Sequence, residues 1–263
     1  MVRGQGMSGI KSLIKAGTVY ALTLGRGGSK GLPGKNVKLL GNHPLIAWSI
    51  AAGKLSRSIE RVLCSTDDEE IARVAARYGA DVPFHRPAAL ASDDATDLDV
   101  FNHCIEWLAE NEGSLPEVFV QLRPTTPFRL EHWIDEGVKI LRRTSGASSV
   151  RSVAPTPLSP YKMWRPGPGG RLLPAMEVEG ITEAYNRPRQ SLPNILWHTG
   201  QLDVFWTTTL IEGSMTGPYI QELRVPLKLA VDIDDLIDFQ VARLKFEELM
   251  PKSFITYLNT CTG

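Results

Sequence analysis

Residues 25–36, GRGGSKGLPGKN, interleave glycines with cations and follow directly on an apolar, β-branched run at 18–24, TVYALTL. Such a loop offers backbone N–H groups and fixed positive charge at a strand end, which is the chemistry of anion binding. It is not a Walker A loop. Counting back from Gly34-Lys35, Ser29 stands where the first glycine belongs and Asn36 where the hydroxyl belongs. Nor is it a dinucleotide fingerprint, because the frame that begins Gly25-x-Gly27 meets Lys30 in place of the third glycine. Four cations, Arg26, Lys30, Lys35 and Lys38, suit a polyphosphate better than a single phosphate. The loop therefore nominates Leu24, Gly25, Gly27, Gly28, Ser29 and Lys30 as nucleotide-binding positions, with Arg26 and Lys35 as catalytic contacts to a triphosphate. A solvated turn with ordinary surface lysines is the competing reading.

A second constellation is Asp232-Ile233-Asp234. In an extended chain the period of two puts both carboxylates on one face and Ile233 on the other. Two hard oxygen donors, completed by waters and substrate phosphates, match the way Mg²⁺ is held. Helix N-capping by Asp234 or Asp235 competes for the same acids. Ser65-Thr66-Asp67-Asp68 reads as a capping sequence with no chemistry assigned, and none of the five histidines has ligand or triad spacing.

The elements that must position these groups alternate. Strands are expected at 18–24, 61–64, 117–122 and 147–153, and helices after Pro44 and at 68–78, 97–111 and 130–142. That rhythm predicts an α/β fold with a mostly parallel, Rossmann-like sheet covered on both faces. Prolines and glycines crowd 155–193 (PTPLSPYKMWRPGPGG at its start), which breaks the rhythm and reads as an insertion from the sheet edge. Regularity returns with a strand expected at 223–231, running into Asp232, and a helix at 235–250. Residues 1–17 are expected as a flexible tail and 18–263 as one domain.

At 263 residues and 43% hydrophobic content the chain buries a sizeable core. Its 29 basic and 29 acidic residues cancel, which argues against a nucleic-acid or anionic-membrane partner. Cys64, Cys104 and Cys261 are widely spaced and odd in number, so a disulfide framework is not expected and a reducing, cytoplasmic setting is. No stretch has the length of a signal peptide core or a membrane helix.

Seven motifs in order, RGGSKGLPGKN at 26–36, STDDEEIA at 65–72, HRPAALASDDATD at 85–97, PTTPFR at 124–129, PYKMW at 160–164, PRQSLP at 188–193 and VDIDD at 231–235, resemble the N-acylneuraminate cytidylyltransferases, the CMP-sialic acid synthetases and their relatives. The resemblance implies a nucleotide-diphospho-sugar transferase sheet and transfer of CMP from CTP to the anomeric hydroxyl of an acidic 2-keto sugar. It places Arg26 and Lys35 on the triphosphate, Asn36 and Arg86 near the nucleotide, Ala95 and Asp97 at the cytidine pocket, and Asp232 with Asp234 on Mg²⁺. Lys162, Arg189 and Gln190 fall where the family holds the sugar acid. It also implies a homodimer, with the 155–193 insertion reaching over the partner's active site.

Three positions depart from the family pattern: Gly25 replaces a usual alanine, Arg123 a usual glutamine, and Thr199-Gly200-Gln201-Leu202-Asp203 stands where Asn-Gly-x-x-Tyr is common. Arg123 can pair with a carboxylate bidentately, which makes it a further sugar-binding candidate. A nucleotidyltransferase acting on a sugar 1-phosphate, a glycosyltransferase using Asp232-Ile233-Asp234, and a non-catalytic nucleotide or sugar sensor are the alternative functions.

Overall fold

The structure, a computed structural model, describes residues 7–262. In chain order the elements are α1 (Met7–Lys11), β1 (Ile14–Leu24), β2 (Leu39–Leu40), β3 (His43–Pro44), α2 (Leu45–Leu55), β4 (Arg61–Ser65), α3 (Glu69–Arg77), α4 (Asp97–Asn111), β5 (Leu115–Gln121), α5 (Glu131–Arg143), β6 (Ser149–Pro155), β7 (Trp164–Pro166), β8 (Leu172–Pro174), β9 (Leu196–Trp206), α6 (Thr207–Ile211), β10 (Ile220–Arg224), α7 (Leu236–Leu249) and α8 (Lys252–Thr260).

Six strands form the central sheet in the order β10-β6-β9-β5-β1-β4. The β1/β4, β1/β5 and β10/β6 pairs are parallel, and β9 alone runs against its neighbours β5 and β6. Residues directly opposite one another share a face, and successive rows alternate faces. The row Val62, Ala21, Val120, Val204, Val150 is apolar throughout and packs with α2 and α5. One residue along, the row Leu63, Leu22, Gln121, Asp203, Arg151, Glu222 faces the other side. It is apolar where α4 covers it and polar beyond.

Three helices start at or beside the strands' carboxyl edge with side-chain caps. Asp68 accepts from the Ile71 N–H to begin α3, while Thr96 with Asp99 and Asp235 with Asp238 form reciprocal capping boxes on α4 and α7. Asp235 is thus the acid that caps, which leaves Asp232 and Asp234 free of that role.

The structure departs from the sequence expectations in three places. The sheet begins at Ile14, where Ile14 and Lys15 pair with Leu115 and Pro116, and α1 precedes it, so the chain joins the fold well before residue 18; residues 1–6 lie outside the described residues. The strand expected at 223–231 is instead β10 at Ile220–Arg224, because Pro226 lacks an N–H for the ladder and a short 3₁₀ turn follows at Leu227–Leu229. Strand β9 was not anticipated at all. Between β6 and β9 lies the 155–193 segment, a β7/β8 hairpin and several 3₁₀ turns around a small cluster of Tyr161, Ala184 and Leu192.

Below the carboxyl edge, Arg129 has no solvent exposure. It donates to the Gln201 carbonyl, to Ser49 Oγ (3.2 Å), to the Arg123 carbonyl (3.1 Å) and to Thr126 Oγ1 (3.0 Å). Burial lowers its pKa to about 9. Replacing Arg129 by Met takes a buried donor from the Gln201 carbonyl, Ser49 Oγ and Thr126 Oγ1, while the Arg123 carbonyl keeps Ser49 Oγ as a donor, so Arg129→Met is expected to cost about 2 kcal/mol or more. Urea melts followed by circular dichroism check it, and an unchanged midpoint would refute this account of the residue.

Candidate active site

At the carboxyl edge of β1, β4 and β5 a cleft of about 490 Å³ opens. Of the residues nominated from sequence, Leu24, Arg26, Ser29, Lys30, Lys35, Asn36, Arg86, Ala95, Asp97 and Asp234 line it. The structure adds Gly31, Leu90, Ser92, Asp93, Val100, Pro124 and Thr125 to the wall.

Three of the loop's four cations are held by acceptors. Arg26 Nη1 donates to the Ser92 carbonyl at 3.2 Å and Asp93 Oδ1 at 3.0 Å, and Lys30 pairs with the same Asp93 carboxylate. The hydrogen bonds and charge of Lys30 and Arg26 hold the Asp93 carboxyl below its ordinary range. Lys35 Nζ donates to the Ile233 carbonyl at 2.8 Å and lies 3.5 Å from Asp234 Oδ1. Lys38 does not converge with them; its Nζ sits over the Phe239 ring, 5.7 Å from the centroid, on a separate cleft.

The loop's shape is set by neutral contacts. Asn36, nearly buried, donates from Nδ2 to the Arg26 carbonyl at 2.9 Å, so it fixes the loop behind Arg26 as well as facing the cleft. Gly27 donates its N–H to Asp67 Oδ1 at 3.0 Å and Gly25 donates to the Ser65 carbonyl at 3.1 Å. Those N–H groups are therefore used within the protein, and neither glycine lines the cleft; Gly28 lies outside it too. The methyl that an alanine would carry at Gly25 would come within 3.0 Å of both Ile46 and Ile71, which occupy the space. At Gly31 a Cβ would collide with the Asp234 carbonyl oxygen, so this glycine lets the loop meet the 230–235 strap.

Arg86 is 4% exposed and donates from Nε to Ser65 Oγ at 3.0 Å and from Nη2 to the Ser65 carbonyl. Burial lowers its pKa, with the nearby Asp67 opposing.

Asp232 and Asp234 are not in a strand. Ile233 is fully buried and its N–H donates to the Thr125 carbonyl at 2.9 Å, which pins the strap with Asp232 half-buried and Asp234 exposed on either side. Asp232 Oδ1 is buried with no hydrogen-bond partner, and burial first, then the Asp234 charge, raises its pKa against a hydrogen bond from Thr125. An orphaned buried carboxylate oxygen beside a second, mostly exposed carboxylate fits a hard divalent cation whose remaining ligands come from phosphate and water. Among the described residues no group of three or more His, Cys, Asp or Glu converges on a closed metal site.

The sugar-binding candidates separate. Arg123 donates from Nη1 to Asp203 Oδ2 at 2.7 Å and from Nη2 to Asp97 Oδ2 at 2.8 Å, so its guanidinium is clamped between two carboxylates. Lys162 Nζ donates to the Tyr185 carbonyl at 3.3 Å, Arg189 binds the Thr156 and Pro157 carbonyls, and Gln190 is exposed. Within one chain none of these three lines the cleft.

The sequence reading missed Asp93, Asp203, Arg151 and His198. His198 Nε2 lies 3.0 Å from Asp203 Oδ1 although five residues separate them. Regular alternation would put them on opposite faces. A register shift between β6 and β9, with Gly200 at φ +71°, brings them to one side.

The cytidylyltransferase family model matches residues 20–153. The chain is 40% identical over 146 residues to a CMP-N,N'-diacetyllegionaminic acid synthase of Legionella pneumophila, covering 54% of this chain and 60% of that one. It is 30% identical over 224 residues to an N-acylneuraminate cytidylyltransferase of Escherichia coli O18:K1:H7, covering 85% of this chain and 51% of that one. A CMP-N,N'-diacetyllegionaminic acid synthase of Campylobacter jejuni is 28% identical over 87% of this chain and 96% of its own length. The chain thus spans about half to three fifths of the first two relatives. The solved structure of a CMP:2-keto-3-deoxy-manno-octonic acid synthetase complexed with CTP superposes with a TM-score of 0.60 at 13% identity, over 88% of this chain and all of that one, which establishes the shared fold. No helix among the described residues is long and apolar enough to cross a membrane.

Asp93 holds two cations, Arg26 and Lys30, that a bound triphosphate would have to draw away from it. Asp93→Asn is expected to tighten nucleoside triphosphate binding severalfold at low ionic strength, with the gain shrinking as salt screens it. Isothermal titration at two salt concentrations checks this, and weaker binding by the variant would contradict it.

Proposed function

The chain belongs to the cytidylyltransferase family, and on that premise we propose that it transfers CMP from CTP to the anomeric hydroxyl of an acidic 2-keto sugar of the nonulosonate class. The observation that carries this reading is the convergence of Arg26, Lys30 and Lys35 with Asp234 in one cleft walled by Arg86, Ala95 and Asp97. A cleft of this charge pattern suits a triphosphate, and the relatives' names supply the base and the acceptor class.

In the proposed reaction the hydroxyl oxygen forms a bond to the α-phosphorus, the bond from that phosphorus to the bridging oxygen breaks, and pyrophosphate leaves while the hydroxyl proton passes to water. Arg26 and Lys30 exchange the Asp93 carboxylate for phosphate oxygens, as strong charge-assisted donors can. Lys35, fixed by the Ile233 carbonyl, keeps its charge beside the leaving group without needing to reorganise. Asn36 holds the Arg26 backbone while this happens. Asp232 and Asp234 would hold Mg²⁺, which when bound neutralises phosphate charge and polarises the α-phosphoryl group. Positioning and preorganised charge then supply most of the acceleration.

We propose a homodimer joined through the 155–193 segment. That segment exposes Leu158, Met163, Trp164, Leu172 and Met176, and its Lys162, Arg189 and Gln190 lie away from their own chain's cleft, as residues serving a partner's cleft would. The three free cysteines suit the reducing cytoplasm we propose as its setting.

Pyrophosphate release with Mg²⁺, crossing CTP, GTP, UTP and ATP against 2-keto sugar acids and sugar 1-phosphates, tests the reading. Release with CTP and a sugar acid is expected; release with a sugar 1-phosphate would replace it by the neighbouring reaction. Asp234→Ala, exposed and outside the core, is expected to fold normally and lose turnover by roughly 100-fold or more. Near-normal rates for that variant at saturating Mg²⁺ would refute the metal assignment.

A further inference from the structure

Asp203 sits in the sheet with no side-chain exposure, opposite Gln121 on β5 and Arg151 on β6. Three cationic or potentially cationic groups converge on it. Arg123 Nη1 donates to Oδ2 at 2.7 Å, while Arg151 Nε at 2.9 Å and His198 Nε2 at 3.0 Å share Oδ1. Hydrogen bonding to His198 and the charges of Arg123, His198 and Arg151 outweigh burial and hold the Asp203 carboxyl far below its usual range, so it is ionised.

The three partners are not equivalent. Arg123 has a carboxylate on each side of its fork, Asp203 on Nη1 and Asp97 on Nη2, so both Nη groups are already engaged. Arg151 is different: only its Nε is used, its two Nη groups have no acceptor among the described residues, and its side chain is 28% exposed. His198 beside it is 32% exposed. The arrangement joins two guanidiniums, Arg123 and Arg151, and the His198 ring to two carboxylates, Asp203 and Asp97.

Its place in the fold gives it a use. Asp97 lines the nucleotide cleft, Arg123 bridges Asp97 to Asp203, and Asp203 carries Arg151. A Cβ on Gly200 would lie 3.7 Å from Arg123 Cδ and 3.8 Å from Asp232 Oδ2, so this network adjoins the carboxylate assigned to the metal. Arg151 and His198 thus lie beyond Asp203 from the cleft and are joined to its Asp97 wall through Arg123.

We propose that the unused edge of the Arg151 guanidinium receives the carboxylate of the acceptor sugar acid, with Asp203 as the buried positioning residue that aims it and His198 flanking it. The assignment rests on the nucleotidyl-transfer reading above. A planar fork held through Nε presents two parallel donors to a carboxylate, which a lysine cannot reproduce. It also gives the two departures from the family pattern, Arg123 and Asp203, a joint role: they carry Arg151 instead of touching the sugar acid themselves.

The test is pyrophosphate-release kinetics with CTP and N-acetylneuraminate, N,N'-diacetyllegionaminate and 2-keto-3-deoxy-manno-octonate, using whichever acid the wild-type protein takes and its methyl ester. Arg151→Met is expected to raise the acceptor KM by about 30-fold or more while leaving the CTP KM within twofold, consistent with loss of one bidentate carboxylate contact. Arg151→Lys, which keeps a cation on Asp203, is expected to shift the acceptor KM in the same direction by less. The wild type should prefer the acid to the ester, and Arg151→Met should not. An acceptor KM within twofold of wild type in Arg151→Met, or an undiminished preference for the acid, overturns the proposal alone. Wild-type turnover with sugar 1-phosphates only, or none with any acid, overturns the nucleotidyl-transfer reading and this assignment with it.

Discussion

The turn from Arg123 to Thr126 is held from below by a guanidinium that water does not reach, and the site is organised around that fact. A buried charge is tolerated when acceptors surround it. Arg129 makes four hydrogen bonds from its five N–H donors, to the Arg123 carbonyl, Thr126 Oγ1, Ser49 Oγ and the β9 backbone at Gln201. The turn so fixed does three things at once. Its Thr125 carbonyl accepts the Ile233 N–H and sets the strap that carries Asp232 and Asp234. Its Arg123 side chain reaches Asp97 at the start of α4, and through Asp203 it reaches β9 and β6. The cleft wall at Asp97, the Asp232/Asp234 strap and the Asp203 network are therefore referenced to one segment.

Burial divides the site's ion pairs into two kinds. Asp93, about half exposed, holds Arg26 and the largely exposed Lys30 in pairs that water and salt weaken. Such pairs are easily exchanged for phosphate. Asp203, with no exposure, holds Arg123, Arg151 and His198 in pairs that cannot be broken without leaving an uncompensated buried charge. The same chemistry thus yields exchangeable pairs at the cleft and a fixed scaffold beside it.

The α/β rhythm was legible because each strand and helix that carries it has a local signature. Asp68 and Thr96 announce α3 and α4, and the apolar runs of β1, β4 and β5 end where the cleft begins. The convergence of Arg26, Lys30 and Lys35 on one cleft was legible from a local pattern too, glycines interleaved with cations directly after an apolar strand. Lys38 shows the limit of that argument, since charge alone does not say that its amine turns away to Phe239. Gly25 and Gly27 show another, because a free N–H in sequence can be spent on Ser65 or Asp67 in the fold.

What stayed hidden depends on pairings between distant strands. Strand β9, LWHTGQLDVFW, interrupts its apolar pattern with His198, Gln201 and Asp203, and a polar residue inside a strand has no visible partner until the sheet is assembled. Arg151 and Asp203 meet across the β6/β9 ladder, Arg123 comes from the end of β5, and His198 arrives only through a register shift at Gly200. None of these contacts is local. A burial constraint accounts for them together: an ionised Asp203 in a sheet interior requires cations from every neighbouring strand able to supply one. The position where sequence patterning fails most plainly is therefore the position where the fold places its densest charge, immediately beside the cleft.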